Sequence, residues 1–391
     1  MTFSLISPMQ WPATAPLARR GLGIPESVVA GPPQPPVSEG GPRPATVVDE
    51  KGVSFWLHDL TGEISAVSLV QEVAVPRAGP DLRPAGNGMW RVRFDRPEVD
   101  RFEYRFELRW PGGERDVVLD PNNPKQAPGA FGARSVIEFP EYKAPAWLDA
   151  DPPQGTVLDL SLPSALLGGP QTCRLWACYG SEADLSLPLL VALDGIEFEQ
   201  FSGLLHFLDA TSEAGSLPPM RALLMHPSRR DEHYSASPDF PRALEEEILP
   251  AVSRLAPIAA GRRYCAGLGA SLGGLALMHA ERSRPETFGG LFLQSSSFLH
   301  HGYMLGFKYY RRVGDFLTEL LEGEAVGEPA DIVLTCGTVE FSRSNNIAVA
   351  EALERRGNRV HMQLLKDAHN WIAWRDAWAP HLVKLLGECF G

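Results

Sequence analysis

Gly269-Ala270-Ser271-Leu272-Gly273 is an uninterrupted G-x-S-x-G, preceded by the apolar run Tyr264 to Gly267 and followed by the helical run GLALMHA. Strand, sharp turn, then helix is the setting in which a serine hydroxyl is held exposed at the tip of a strained turn. Small residues are needed around it because neighbouring backbones approach closely. An ordinary strand-to-helix turn that happens to carry serine is the bland reading, and the flanking elements favour the nucleophile. A serine hydroxyl attacks poorly until a base takes its proton, so Ser271 calls for a histidine.

Six histidines lie downstream of Ser271. His279 falls on the helix that starts at the turn and is expected to point away from it, while His361 and His381 sit within a strand and the terminal helix. His300 and His301 follow the next strand and could line the mouth of a pocket. His369, in LLKDAHNWIAWR, follows the last strand-like run directly, at the sheet edge where a base must hang over the serine. The acid is expected at the end of the preceding strand, and DIVLTCGTVE delivers Glu340 there. It would hold the imidazole tautomer and stabilise the imidazolium. Asp367 and Asp376 are near His369 only in sequence, and a Ser–His pair without a working acid stays open. Oxyanion donors are expected from the backbone N–H of Leu272 and from Gly195 or Ile196, just after the apolar strand LLVAL.

Those residues need a scaffold. From Val47 the runs VSFWLHD, ISAVSLVQ, MWRVRFD and FEYRFELRW alternate with period two between turn residues, predicting half-buried strands of an antiparallel β-sandwich. After about residue 150 apolar strands alternate with helices, which predicts a doubly wound, mostly parallel sheet of the α/β-hydrolase type. The expected organisation is a Pro/Gly-rich arm over 1–45, an immunoglobulin-like sandwich over 46–150 and a hydrolase domain over 151–391. WRDAWAPHLVKLLGECF reads as one closing helix.

With 391 residues, 44% hydrophobic and 21% charged, the chain reads as globular with a sizeable core. A formal charge of -12 argues against nucleic-acid or anionic-membrane partners. Five scattered cysteines give neither a disulfide framework nor a zinc site. The first residues show no basic n-region and no long apolar span, so a cytoplasmic protein is expected.

In its motifs the chain resembles the enterochelin (enterobactin) esterases, the Fes type of siderophore esterase. FWLHD, MWRVRF, YRF and DPNNP (Asp120 to Pro124) resemble that family's N-terminal part, and SVIEFPEYKAPAWL its hinge. LLVALDG, RRDEHY, DFPRALEEEILP, GASLGGLALMHAERSRPETFG, LQSSSF and AHNWIAWR follow in the family's order. The resemblance implies hydrolysis of a catecholate siderophore's trilactone, with Ser271 as nucleophile, His369 as base and Glu340 at the acid position. It places Arg230 on the family's loop arginine, and Trp374-Arg375 on the W-R after the histidine. Two departures imply an altered pocket: Ala368-His369-Asn370 for Gly-His-Asp, and Phe298 where a tryptophan is frequent.

Such a ligand, as its ferric complex, is aromatic and anionic. Arg229, Arg230, Arg343 and Arg375 are candidate clamps, with Phe298, Trp371 and Trp374 as ring surfaces. No metal or other cofactor is implied, since iron would arrive with the substrate, and a homodimer stays open. The alternatives are a carboxylesterase for a feruloyl or acyl-sugar ester and a non-catalytic binding protein on the same scaffold.

Overall fold

The computed structural model describes residues 46–49, 51–74, 81–303 and 306–391; the arm expected over 1–45 lies outside them. The alternating runs become strands β1 (Val47–Asp49), β2 (Gly52–His58), β3 (Ala66–Gln71), β4 (Asp81–Gly86), β5 (Met89–Asp95), β6 (Arg101–Arg109), β7 (Arg115–Val118), β8 (Gln126–Ala127) and β9 (Arg134–Glu138). They form one path, β1-β2-β5-β4-β3-β6-β9-β8, with β7 also on β6. Strand β4 carries the chain from one layer to the other, pairing Leu82 with Val67 of β3 and Pro84 with Trp90 of β5. The two sandwich layers are therefore one bent antiparallel sheet. Its core closes where Phe55 of β2 meets Phe102 and Tyr104 of β6, with ring centroids 5.3 and 4.8 Å apart. The DPNNP segment is a structural turn: buried Asp120 accepts from the Tyr104 hydroxyl at 2.6 Å, and Asn123 Nδ2 donates to the Val136 carbonyl.

The second sheet contains β10 (Thr156–Leu162), β11 (Gln171–Ala177), β12 (Leu189–Leu193), β13 (Arg221–His226), β14 (Cys265–Ala270), β15 (Gly290–Gln294), β16 (Asp331–Gly337) and β17 (Arg359–Leu365). Its order is β10-β11-β13-β12-β14-β15-β16-β17. The pairs from β13 to β17 are parallel, and β10 and β11 add an antiparallel edge. Strands β12 and β14 are buried along their whole length, because helices cover both faces of the sheet. The helix Leu272–Ser283 packs Leu275 and Leu277 into one layer, and the helices Leu204–Glu213 and Val383–Phe390 fill the other with Phe207, Leu385 and Phe390. Strand order reverses between β12 and β14, so a crevice opens at their carboxyl ends.

The closing helix differs from its expected single run. It breaks into Trp371–Asp376 and Val383–Phe390, with Ala379 extended at φ -105° and ψ 121° before Pro380. Proline offers no N–H and clashes with the preceding turn, which ends the first piece. All five cysteines are buried and none is in a disulfide. Among the described residues no helix is long and apolar enough to cross a membrane.

Candidate active site

Ser271 follows β14 directly and precedes the helix Leu272–Ser283, with φ 56° and ψ -121°. A non-glycine residue there costs of order 1–3 kcal/mol and persists only where the surroundings impose it. The flanking glycine explains how they do: a Cβ on Gly269 would lie 2.7 Å from the carbonyl carbon of Gly273, so only glycine lets strand and helix approach this closely. The turn is then locked to β15, as Ser271 N–H donates to the Gln294 carbonyl (2.9 Å) and Ser297 N–H to the Ser271 carbonyl (3.0 Å). The Ser271 hydroxyl lies 3.2 Å from Ser297 Oγ, its hydrogen-bond partner among the described residues. Hydroxyl-to-base bonds are often long in a ligand-free site and tighten only around substrate.

His369 and Glu340 are brought together. His369 Nδ1–H donates to Glu340 Oε2 at 2.8 Å, leaving Nε2 as the free ring nitrogen. Glu340 is 2% exposed, and its other oxygen accepts from Ser295 Oγ (2.6 Å) and Gly337 N–H (2.7 Å). Burial opposes charge on both groups. Against it, the His369 charge and these hydrogen bonds hold the Glu340 pKa below its usual 4.5. Burial likewise disfavours the imidazolium, yet the adjacent carboxylate outweighs it and raises the His369 pKa above 6.5.

Trp374 is buried with its ring edge-on to His369 at 5.1 Å, and its Nε1–H donates to Ser295 Oγ at 3.0 Å. Trp374 thus orients Ser295, which in turn holds Glu340. Ser295 and Ser297 are site residues that the reading of single residues missed. Their signal was the LQSSSF block, quoted for its resemblance without a role for each serine.

Leu272 is the first residue of its helix and Gly195 the first of the helix Gly195–Ser202 after β12. A Cβ on Gly273 would lie 3.4 Å from Asp194 Oδ2, so the two helix starts are neighbours, and N–H groups at a helix start suit a developing negative charge. Asp194 shapes the second one in a left-handed conformation, φ 55°. Arg230 grips it through Nε at 2.8 Å and Nη2 at 2.6 Å. Burial works against the Arg230 charge, but Asp194 more than offsets it and raises the guanidinium pKa further.

The other candidate ligand residues divide. Arg229 donates to the Leu167 carbonyl (2.9 Å), Arg343 to the Thr338 carbonyl (2.6 Å), and Arg375 pairs with Asp376 and the Tyr142 hydroxyl. Each is committed to a protein partner. Phe298, expected as a ring surface, lies fully buried in the apolar core that also holds Leu272 and Leu275. Trp371 is half-buried, with Phe198 and Phe201 both at 5.2 Å, and keeps part of its surface open.

The first sheet also reaches the site. Glu72, Arg101, Glu103 and Arg134 line a small cavity with Ala368 and Asn370, on either side of His369. Burial raises the Glu72 pKa, countered by Arg134, whose Nη2 lies 2.5 Å away. Nothing in the local sequence of these four residues marks them as neighbours of the His369 loop.

No family model matches the chain. Over 306 residues it is 27% identical to the iron(III) enterobactin esterase of Escherichia coli O6:H1 (strain CFT073), covering 76% of this chain and 74% of that one. The iron(III) enterobactin esterase of Escherichia coli K12 is 27% identical over 307 residues, again 76% and 74% of the two chains. The crystal structure of the enterobactin esterase FES from Shigella flexneri in the presence of enterobactin superposes with a TM-score of 0.70, covering 88% of this chain and 95% of that chain at 23% identity. That likeness shows an esterase-type hydrolase fold. The ordered motifs, the curated relatives and the fold agree in what the chain is similar to, the iron(III) enterobactin esterases.

Proposed function

We propose that this protein is a serine esterase that opens the ester bonds of an enterobactin-like catecholate trilactone and so releases its iron in the cytoplasm. The observation that carries the chemistry is the His369–Glu340 bond, held by Ser295 of the same Gln294–Ser297 segment that locks the strained Ser271. The substrate class comes from the named relatives. In this reading residues 46–150 form a β-sandwich domain and 151–391 the hydrolase domain.

Ser271 Oγ attacks the ester carbonyl as His369 Nε2 takes its proton. The oxyanion is received by the N–H of Leu272 and of Gly195 or Ile196. Collapse breaks the C–O bond, and the imidazolium returns the proton to the leaving alcohol. Water then enters by the same route, giving up a proton to His369, and the imidazolium passes it to Ser271 Oγ as the acid leaves. Arg230, partly exposed beside the oxyanion turn, and the open face of Trp371 are the groups best placed to meet an anionic aromatic ligand.

The test follows ferric enterobactin and its iron-free form by chromatography, with wild type and Ser271→Ala. Hydrolysis by the wild type, reduced about five to six orders of magnitude in the variant, is the expected outcome. With neither form turned over by folded wild type, the trilactone reading fails. A feruloyl or acyl-sugar ester then becomes the better substrate class, consistent with Arg229, Arg343 and Arg375 being tied to protein groups.

A further inference from the structure

The acid and base sit on the loops after β16 and β17, and both loops are hydrogen-bonded to the other sheet. Thr338 Oγ1 donates to the Glu98 carbonyl at 2.5 Å, Ala74 N–H to the Val339 carbonyl at 2.9 Å, and Asp100 N–H to the Lys366 carbonyl at 2.7 Å. The side chains of Val339 and Ala368 belong to the first sheet's apolar core.

At the centre is Arg101 of β6, 3% exposed. Its guanidinium meets Glu103 at 3.0 Å, and Asp367 Oδ2 and Asn370 Oδ1 each at 3.5 Å. Asp367 Oδ1 in turn accepts from Ala368 N–H (2.7 Å) and Asn370 Nδ2 (2.8 Å), and Asn370 Oδ1 caps the helix Trp371–Asp376 through Ala373 N–H (2.8 Å). His369 is therefore strung between two residues that a single arginine holds. Burial pushes the Asp367 pKa up to about 7, against the pull of Arg101.

We propose that Arg101 is a positioning residue for the base: through Asp367 and Asn370 it fixes the loop that aims His369 at Ser271, which makes the N-terminal sheet part of the catalytic apparatus. This rests on the reading of Ser271 and His369 as nucleophile and base. Misplacing a reacting group by about 1 Å can cost about a hundredfold in rate. The probe is a fluorophosphonate: Ser271 Oγ bonds to phosphorus, fluoride leaves, and His369 takes the proton, whatever the natural substrate.

Arg101→Met is expected to slow Ser271 labelling about 10- to 100-fold. For ferric enterobactin, kcat should fall alike while KM changes less than about twofold, because the loop loses aim and no ligand contact. Asp367→Asn, which keeps shape and removes the charge, should slow labelling similarly, with the double variant no slower than the worse single one. Arg101→Lys should recover part of the rate. Labelling of folded Arg101→Met at the wild-type rate would overturn the proposal. If Arg101→Met does not fold, Asp367→Asn labelling at the wild-type rate overturns it equally. Wild type that fails to label at all strikes the nucleophile reading itself, and the inference falls with it.

Discussion

Around Ser271 the holding contacts come from the strands and turns of one sheet: β14 and its helix, the Gln294–Ser297 segment after β15, and the Asp194 turn after β12. Around His369 they come from residues far apart in the chain, such as Arg101 reaching Asn370 across 269 positions and Thr338 reaching Glu98 across 240. Ser271 is fixed by backbone geometry that a few small residues dictate. His369 is fixed by side chains and by a second sheet. Damage should therefore differ in kind: local changes near Ser271 disturb the oxyanion turn, whereas remote changes disturb the aim and protonation of His369.

The largest effect expected on the base side is from Glu340→Gln. It preserves shape but removes the charge and the tautomer control, so kcat/KM should fall about 10³- to 10⁴-fold. The pH profile gives the sharper reading. Activity needs neutral His369, so the wild-type rate should rise with pH through a value above 6.5, and the variant's limb should move to lower pH. Stability follows the same pair. The depressed Glu340 contributes fully above about 4.5 and is lost as pH falls through its native value. The raised His369 contributes fully below about 6.5 and is lost as pH rises through its native value. The denaturation difference between wild type and Glu340→Gln should thus be greatest between these values. An unmoved activity limb would remove Glu340 from the role of acid.

How much of this could be read from the chain follows the same division. The placement of Ser271, Glu340 and His369 was legible because each follows the carboxyl end of a strand in a regular parallel sheet, where chain order and strand order fix position. The strands of the first sheet were legible from alternation. Arg101, Glu72 and Arg134 were not, since their approach to His369 depends on how two sheets pack, which no local pattern encodes. The burial of Phe298 was not legible for a related reason: an aromatic after an apolar strand looks alike whether it turns toward the pocket or the core. The arginines were found as a group, but their protein partners lie in other loops, at Leu167, Thr338 and Tyr142.

On the nucleophile side, Asp194→Asn tests the oxyanion turn. Asparagine tolerates the left-handed backbone, so the donors stay and only lose the Arg230 clamp. Complete loss of an oxyanion donor costs about 10²- to 10³-fold, and loosening one should cost about tenfold in kcat with little change in KM. Breaking a buried pair typically costs about 3–5 kcal/mol, and the partial exposure of Arg230 puts this one at the low end, readable in denaturant melts. A fall in stability with kcat intact would make the pair a structural clamp without influence on the oxyanion.

Trp374→Phe joins the two sides and should be the mildest. Its indole N–H reaches Ser295 on the β15 side, and its ring edge faces His369 on the other. Phenylalanine keeps a ring against the imidazole and removes only the donor. Ser295 Oγ then loses one partner while still donating to Glu340, so the acid stays bonded but less firmly oriented. One neutral hydrogen bond is worth about 1 kcal/mol, or about fivefold in rate if its effect reaches the transition state in full. The expected result is a three- to fivefold lower kcat, as about 1 kcal/mol allows, with the pH limb shifted slightly toward acid. A larger loss, approaching that of Glu340→Gln, would mean that the β15 side governs the base as strongly as the N-terminal sheet does. The contrast between a locally held nucleophile and a remotely held base would then have to be redrawn around Ser295.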